Sequence, residues 1–293
     1  MRISGLQLRV SDVTRSQLHY AEAWPQVASP QIGAGASARL TCCPTSGATP
    51  APQVDDTVLP AYWKFSVFTD DVDAARARLI HFGWQVTEPV QFLDIGYLCH
   101  MADSDGLSVE LLQRDFVPPR PRPIERSPTL WFSGVDTLGL ITLRIASVEA
   151  SLSFYQAVLG MKLLAVMDVN DGRPDPFTLY FLAFTEDDSP NADPRSIDNR
   201  EWLYHRPYTI MELQYHWPAG EIPGRQLWHS PASVPGLSHV EIETVMVKPL
   251  VERAHQLGAK IGYEHGKLIL HAPEGQRFVI HDQLDAGEPV TVF

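Results

Sequence analysis

The stretch LGLITLRIASVEASLSFYQAVLGM, which runs from Leu138 to Met161, decides the fold because it contains a strand followed directly by a helix. Residues Leu138 to Ile145 show the period-two alternation of side chains that is typical of a β-strand. After Ser147, apolar side chains return at the spacing of one helical face, and Gly160 is the residue type preferred after a last helical turn. The stretch therefore predicts one strand-helix unit.

The same strand-helix pattern recurs four times along the chain. The leading strands are predicted at Ile3 to Val10, Tyr62 to Thr69, Leu138 to Ile145 and Leu237 to Thr244. The helices that follow are predicted at Val13 to Trp24, Val72 to Phe82, Val148 to Leu159 and Val247 to Leu257. About three short strands follow each helix, except in the first unit, where the next predicted strand comes soon after Trp24. The first unit is therefore the weakest copy.

A proline-rich stretch separates the second unit from the third. Val117 to Pro128 reads VPPRPRPIERSP, and prolines fix φ and remove backbone donors, so an extended connector is predicted. We therefore predict an N-terminal degenerate pair of units in residues 1–116, a linker in residues 117–136 and a C-terminal pair in residues 137–293.

The composition narrows the class of partner. The chain has 23 Lys plus Arg against 35 Asp plus Glu, and a formal charge of -12 argues against nucleic acid or an anionic membrane surface. Its three cysteines fit neither a disulfide framework nor a zinc spacing, which indicates a reducing compartment. No leader and no apolar run long enough to span a bilayer is evident. We expect a cytoplasmic protein, a monomer or homodimer, with a small-molecule ligand.

Four later segments carry a resemblance to a known family. They read FTLYFLAF, YTIMELQYHW, GLSHVEI and APEGQRFVI, and they begin at Phe177, Tyr208, Gly236 and Ala272. Together with the opening stretch they resemble the glyoxalase I branch of the vicinal oxygen chelate superfamily. A fainter similarity covers SDV at Ser11 and DSDGLSVELL at Asp103. The resemblance implies an α+β fold in which four βαβββ units form two paired modules, each curled around a pocket.

The family holds a divalent metal ion at four strand positions, and the resemblance places them on Leu140, Glu212, His239 and Val279. Two of these cannot bind an ion. Strand alternation puts His281 on the same face as Val279 and Glu241 on the same face as His239, so a rearranged site is an alternative. That alternative names Glu212, His239 and His281 as ligands of Zn, Ni, Mn or Fe, with Glu212 or Glu241 as the catalytic proton carrier.

The pairing of the units decides which of these residues meet. The corresponding positions of the first half are Gly5, Arg39, Lys64 and Glu110. If the units exchange partners between halves, Glu212 meets Glu110, Lys64 and Leu140, whereas His239 meets Gly5, Arg39 and Val279. In the first set, a Lys ammonium between two carboxylates would replace the charge of the ion with a salt-bridged core.

Three residues are candidates for substrate binding. Arg144 matches the arginine with which the family binds a glutathione carboxylate, although an ion pair between modules is an equal alternative. His216 stands where the family has asparagine. Trp202, together with Tyr204, lies in a stretch from Thr185 to Arg206 that is predicted to be a solvated loop or a lid over the pocket.

Three functions follow from the resemblance. The first is a lyase or isomerase that acts on a hemithioacetal of glutathione or another thiol. The second is a non-catalytic protein that binds a metabolite or an antibiotic. The third is an extradiol dioxygenase, which is less favoured because only His239 survives of its three iron-binding positions.

Overall fold

The structure is a computed structural model, and it describes residues 1–28, 37–46, 58–119, 135–218 and 226–283. The strands are β1 Arg2–Val10, β2 Arg39–Pro44, β3 Val58–Pro60, β4 Tyr62–Thr69, β5 Val90–Phe92, β6 Gly96–Ala102, β7 Ser108–Gln113, β8 Thr137–Arg144, β9 Lys162–Val169, β10 Phe177–Ala183, β11 Ile210–His216, β12 Gln226–Trp228, β13 Gly236–Thr244, β14 Lys260–Glu264, β15 Lys267–His271 and β16 Arg277–Asp282. The helices are α1 Val13–Ala23, α2 Pro25–Ala28, α3 Val72–His81, α4 Val148–Leu152, α5 Asp198–Tyr204 and α6 Val247–Gln256, and a π-helical segment, Ser153–Val158, continues α4.

The four predicted strand-helix units are confirmed to within a residue or two at their ends. Local chemistry explains where two of the helices begin. The side chains of Asp12 and Asp71 accept hydrogen bonds from the backbone N–H groups of Arg15 and Ala74, which satisfies donors that a helix start leaves unpaired. None of the described helices is long and apolar enough to cross a membrane.

The described strands form two large sheets. One has eight strands in the order β5-β6-β7-β4-β8-β11-β10-β9, and the other has six strands in the order β14-β15-β16-β13-β1-β2. The second unit is therefore joined to the third through the antiparallel pair β4–β8, and the first unit is joined to the fourth through β1–β13. The sheets confirm the exchanged pairing, and the prediction that consecutive units pair within each half is wrong.

This pairing has a physical reason in burial. All eight residues of β8 are buried, and so are all but one of β4, so both strands need neighbours on each side and cover on both faces. The first unit contributes only β1 and β2 among the described residues, which leaves β1 to complete the four-stranded sheet of the fourth unit. The predicted division at 117–136 therefore does not separate the sheets. Residues 120–134 lie outside the described residues.

The helix of the third unit packs against the sheet of the fourth. Phe154 and Tyr155 lie on the π-helical segment, and their ring centroids are each 5.8 Å from that of Phe278 on β16. All three side chains are buried. These contacts continue one hydrophobic core across the two sheets.

The stretch from Thr185 to Arg206 is only in part the solvated loop that its acidic residues predict, since residues 185–197 form a loop that is partly or fully exposed. Its last part forms α5, in which Asn199 to Tyr204 are all buried. Asn199 Nδ2 donates to the carbonyl oxygens of Asn191 and Asp193 at 3.1 and 3.0 Å, which ties the preceding loop to the helix. Leu203 and Tyr204 belong to a second hydrophobic core with Leu140 and Ile210. The segment is thus a fixed wall of the eight-stranded sheet.

Replacement of Phe278 tests the packing between units. Phe278→Ala should reduce the free energy of unfolding by about 3–5 kcal/mol, because it leaves a cavity beside two other buried rings. Tyr263→Ala, at a side chain that is 68% exposed in the same unit, is the control and should change stability by less than about 0.5 kcal/mol. Urea unfolding followed by circular dichroism measures both. Equal losses in the two variants would contradict the packing.

Candidate ligand-binding site

A cavity of about 450 Å³, here called the main cavity, opens on the eight-stranded sheet. Most of its wall is apolar, and charged groups gather at two places in its lining. The lining residues are Leu59, Trp63, Lys64, Val90, Phe92, Ile95, Leu98, His100, Glu110, Leu112, Arg144, Arg173, Asp175, Phe177, Leu179, Tyr204, Glu212, Gln214 and His216. A concave apolar site with a few convergent polar groups is the usual form of a small-molecule site.

Lys64 and Glu110 form a buried ion pair in this lining. Lys64 Nζ lies 2.7 Å from Glu110 Oε1, and both side chains are almost completely buried. Ser66 Oγ donates to the same carboxylate oxygen at 2.7 Å. The pair arises because β4 and β7 are parallel neighbours, with Ser66 opposite Glu110. A buried ion pair survives only when further hydrogen bonds satisfy its charges, and Ser66 supplies one of them.

Glu212 faces the same ammonium group from β11. Its Oε1 atom lies 3.8 Å from Lys64 Nζ and accepts a hydrogen bond from Thr142 Oγ1 at 3.0 Å. Thr142 lies on β8, opposite Glu212 of β11 on one side and opposite Lys64 of β4 on the other. The central strands therefore hold the three side chains at one level. One cation thus lies between two buried carboxylates.

The two carboxylates have different proton affinities. Burial disfavours the charge of Glu110, but attraction by Lys64 and by His100 outweighs burial and lowers the pKa of Glu110. Burial raises the pKa of Glu212, and the neighbouring Glu110 raises it further against the opposing effect of Lys64. Glu110 is therefore the ionised partner of Lys64, and Glu212 is the carboxyl group that holds a proton more readily.

His100 on β6 approaches the pair from the other side. Its Nε2 atom lies 3.0 Å from Glu110 Oε2, and this contact helps to lower the pKa of Glu110. Its imidazole also stacks on the Trp63 ring at 6.3 Å between centroids, which places an aromatic pair beside the charged groups.

Arg144 lies in the lining of the main cavity, as the resemblance predicts. Its Nε atom donates to Gln214 Oε1 at 3.0 Å, and its Nη1 atom donates to the Pro60 carbonyl at 2.9 Å. The guanidinium group stacks over Trp63, 4.9 Å from the ring centroid. These contacts hold a planar cation in place beside the cavity.

His216 also lines the cavity, and Trp202 does not. His216 Nδ1 lies 3.0 Å from Asp175 Oδ1, so an acidic side chain orients the imidazole. The Arg206 guanidinium stacks on Trp202, 4.6 Å from the centroid of the Trp202 ring, and a ligand contact of Trp202 stays a prediction. Tyr204, two residues later on α5, faces the cavity and donates to the Ile95 carbonyl at 2.8 Å.

The rearranged metal set is not brought together. Glu212 belongs to the eight-stranded sheet, whereas His239, Glu241 and His281 belong to the six-stranded sheet. There, Glu241 Oε1 lies 3.5 Å from His239 Nε2 and 3.8 Å from His281 Nε2. The carboxylate fills the space that a side chain at Gly5 would need. The predicted joint role of Glu212 with His239 and His281 is therefore wrong, and Glu241 lies outside the main cavity.

The donors at the family positions do not suit a metal ion. In the eight-stranded sheet these positions carry Lys64, Glu110, Leu140 and Glu212. An ammonium group lies where a cation would have to lie, and Leu140 is a buried apolar side chain. Within the described ranges, no three His, Cys, Asp or Glu side chains form a group that could hold a metal ion.

Sequence reasoning missed several lining residues. His100 and Trp63 carry no recognisable spacing, because their relation to Glu110 and Arg144 follows from contacts between strands. Gln214 is a further lining residue, and the structure shows it as the acceptor that positions Arg144. The alternation of β11 could have indicated this, since residues two apart on a strand point to the same side.

Comparison with known proteins finds similarity to one superfamily in the second half of the chain. The profile of the Glyoxalase/Bleomycin resistance protein/Dioxygenase superfamily matches residues 137–269. A lactoylglutathione lyase of Pseudomonas aeruginosa is 31% identical over 116 residues, which are 40% of this chain and 62% of that protein. One from Neisseria meningitidis is 35% identical over 75 residues, which are 26% of this chain and 39% of that protein. The chain thus matches less than two thirds of the length of either relative.

A solved structure extends the likeness to the whole fold. Glyoxalase I from Zea mays superposes with a TM-score of 0.60, over 97% of this chain and 93% of that chain, at 20% sequence identity. At this identity the comparison establishes the shared fold alone. The α+β architecture of repeated units curled into sheets is therefore confirmed.

Replacement of Lys64 tests the ion-pair network. Lys64→Met should reduce the free energy of unfolding at neutral pH by about 3–5 kcal/mol, because it leaves two carboxylates buried without their cation. The pKa of Glu110 is 4.5 in the unfolded chain and is lowered to about 2 in the folded protein. The ionised carboxylate therefore stabilises the fold above pH 4.5, and this stabilisation is lost as the pH falls toward about 2. The difference in the free energy of unfolding between the wild type and Lys64→Met should therefore become smaller over that pH interval.

The control for this measurement is Lys162→Met, which removes a lysine whose partner Asp188 is 91% exposed. A surface pair contributes at most about 1 kcal/mol. Guanidinium unfolding of both variants, at neutral pH and at about pH 3, gives the comparison. A loss for Lys64→Met that equals that of the control, or that grows on acidification, would contradict the network.

Proposed function

We propose that this chain, which carries a domain of the glyoxalase/bleomycin resistance protein/dioxygenase superfamily in residues 137–269, binds a small organic molecule in the main cavity with Lys64 in place of a metal ion. The observation that carries this proposal is the position of Lys64 Nζ, 2.7 Å from Glu110 and 3.8 Å from Glu212. A fixed ammonium group supplies positive charge beside a ligand without an exchangeable ion.

The lining supports an amphipathic ligand. Apolar side chains such as Phe92 and Leu179 favour a hydrocarbon or aromatic part, whereas Arg144 and Lys64 favour a carboxylate or a polarised carbonyl oxygen. A conjugate of glutathione has this character, because it carries carboxylates and its sulfur bears an apolar substituent. The names of the lyase relatives favour the same class. Cytoplasmic location and a monomeric or homodimeric state remain predictions.

Proton transfer is the second candidate function, and the raised pKa of Glu212 favours it. A carboxylate with a raised pKa is a stronger base than an ordinary glutamate. In a lyase or isomerase of this kind, Glu212 removes a proton from carbon next to a carbonyl, and the carbonyl oxygen gains negative charge beside Lys64. Glu212 then returns the proton to the neighbouring carbon, and the hydroxyl proton of the hemithioacetal passes to the former carbonyl oxygen, so the reaction balances without a co-reactant.

Binding of S-hexylglutathione in the presence of EDTA tests the first proposal. The wild type should bind this probe equally well with and without EDTA, and Arg144→Gln should bind it about tenfold more weakly because a charge-assisted contact is lost. Arg195→Gln, at an exposed ion pair with Asp168, is the matched control and should bind like the wild type. Isothermal titration calorimetry measures each affinity. Binding that requires one stoichiometric metal ion would overturn the proposal.

Turnover of the glutathione–methylglyoxal hemithioacetal in EDTA decides between the two candidates. If the chain is an enzyme, Glu212→Gln should lower kcat by about 100-fold or more and retain affinity for S-hexylglutathione, because the amide cannot accept the proton. If the wild type binds the probe and shows no turnover, the protein is a non-catalytic binder. Turnover that survives Glu212→Gln would remove this residue from the mechanism.

A further inference from the structure

A second cavity, of about 270 Å³, lies where the two sheets meet. Arg9 on β1, Ser238 on β13 and Arg277 on β16 line it from the six-stranded sheet, and Tyr62 on β4 lines it from the eight-stranded sheet. The segment around His229 completes the wall. The linings of the main cavity and this second cavity share no residue. Its volume suits a molecule of a few carbon atoms.

The second cavity has a positive lining in an acidic protein. Arg9 and Arg277 line it, and no Asp or Glu occurs among the described lining residues, although Arg277 Nη2 pairs with Glu264 outside the lining. The Arg9 guanidinium donates to the carbonyl oxygens of Ser230 at 2.7 Å and of Val234 at 3.4 Å, and no carboxylate of the described residues pairs with it. Burial lowers the pKa of Arg9, and nearby Arg277 lowers it further, so an anion here would relieve an unfavourable charge.

Among the residues that line this cavity, three buried polar atoms lack hydrogen-bond partners within the described part of the chain. They are Tyr62 Oη, Gln276 Oε1 and Arg277 Nε. The side chains of Tyr62 and Gln276 belong to residues that are only 9% and 4% exposed. Gln276 Nε2 donates to the Arg144 carbonyl at 3.4 Å, which fixes the amide so that its oxygen is the unpaired atom. Buried polar groups without partners are costly, and a bound polar molecule would satisfy them.

We propose that the second cavity binds a small hydroxycarboxylic acid. Arg9 and Arg277 Nε would bind the carboxylate, while the ligand hydroxyl would donate to Gln276 Oε1 and accept from Tyr62 Oη. An ammonium group in place of the hydroxyl is disfavoured, because it cannot accept from Tyr62 and would lie near two guanidinium groups. The site is independent of the main cavity, although Gln276 connects it to the backbone of Arg144.

Three matched probes test this proposal on the full chain. Glycolate carries a carboxylate and a hydroxyl, acetate lacks the hydroxyl, and glycolamide lacks the charge. Saturation-transfer NMR titration should give the highest affinity for glycolate, about tenfold weaker binding for acetate and no measurable binding for glycolamide, since each loss leaves a buried group unpaired. Equal affinity for all three probes, or no binding of glycolate, would overturn the proposal.

Variants locate the bound glycolate. Arg9→Gln should weaken it about tenfold or more, and Arg2→Gln, at the other end of β1 in a surface pair with Glu243, should not change it. Tyr62→Phe removes a hydroxyl that has no partner, so it should fold normally and reduce the preference for glycolate over acetate. Circular dichroism verifies the fold of each variant.

Lys64→Met separates the two cavities. Retained glycolate binding in this variant, together with loss in Arg9→Gln, supports the second cavity even if the proposed function of the main cavity fails. Loss of glycolate binding in Lys64→Met with retention in Arg9→Gln would place the probe in the main cavity and refute the proposal.

Discussion

The buried ion pair between Lys64 and Glu110, with Glu212 3.8 Å from the same ammonium, is the interaction on which the eight-stranded sheet depends. It draws side chains from β4, β7 and β11, which belong to two different units. A buried charge without its partner is strongly destabilising, so the cation and the carboxylates must be brought together by the same strand pairing. The pairing of the second unit with the third meets that condition.

The network also sets the character of the main cavity. Its ammonium group is covalently attached to the chain and is paired with the Glu110 carboxylate. Beside this polar network, Leu140 is packed in an apolar core with Ile210 and Tyr204. The helix that carries Tyr204 then closes a wall that sequence composition alone assigns to solvent.

The six-stranded sheet differs from the eight-stranded sheet in its first unit. Its first unit contributes only β1 and β2 among the described residues, and Gly5 leaves space that the Glu241 carboxylate occupies. His239 and His281 approach that carboxylate at 3.5 and 3.8 Å. The chemistry of this sheet is therefore separate from that of the main cavity. The second cavity lies between the sheets and draws Tyr62 and Arg9 from different units, so it depends on both.

The sequence by itself determined the four strand-helix units, because alternation with period two and apolar spacing with helical period are local properties. It also identified Lys64, Glu110, Glu212 and Arg144 as residues at family positions. Only the tertiary structure decided which units pair, and hence that Lys64 meets Glu212 while His239 does not. Leading strands of all four units carry the same alternation, so their partners depend on burial over the whole fold. Contacts of His100 and Tyr204 depend on that pairing too, and no local pattern predicts them.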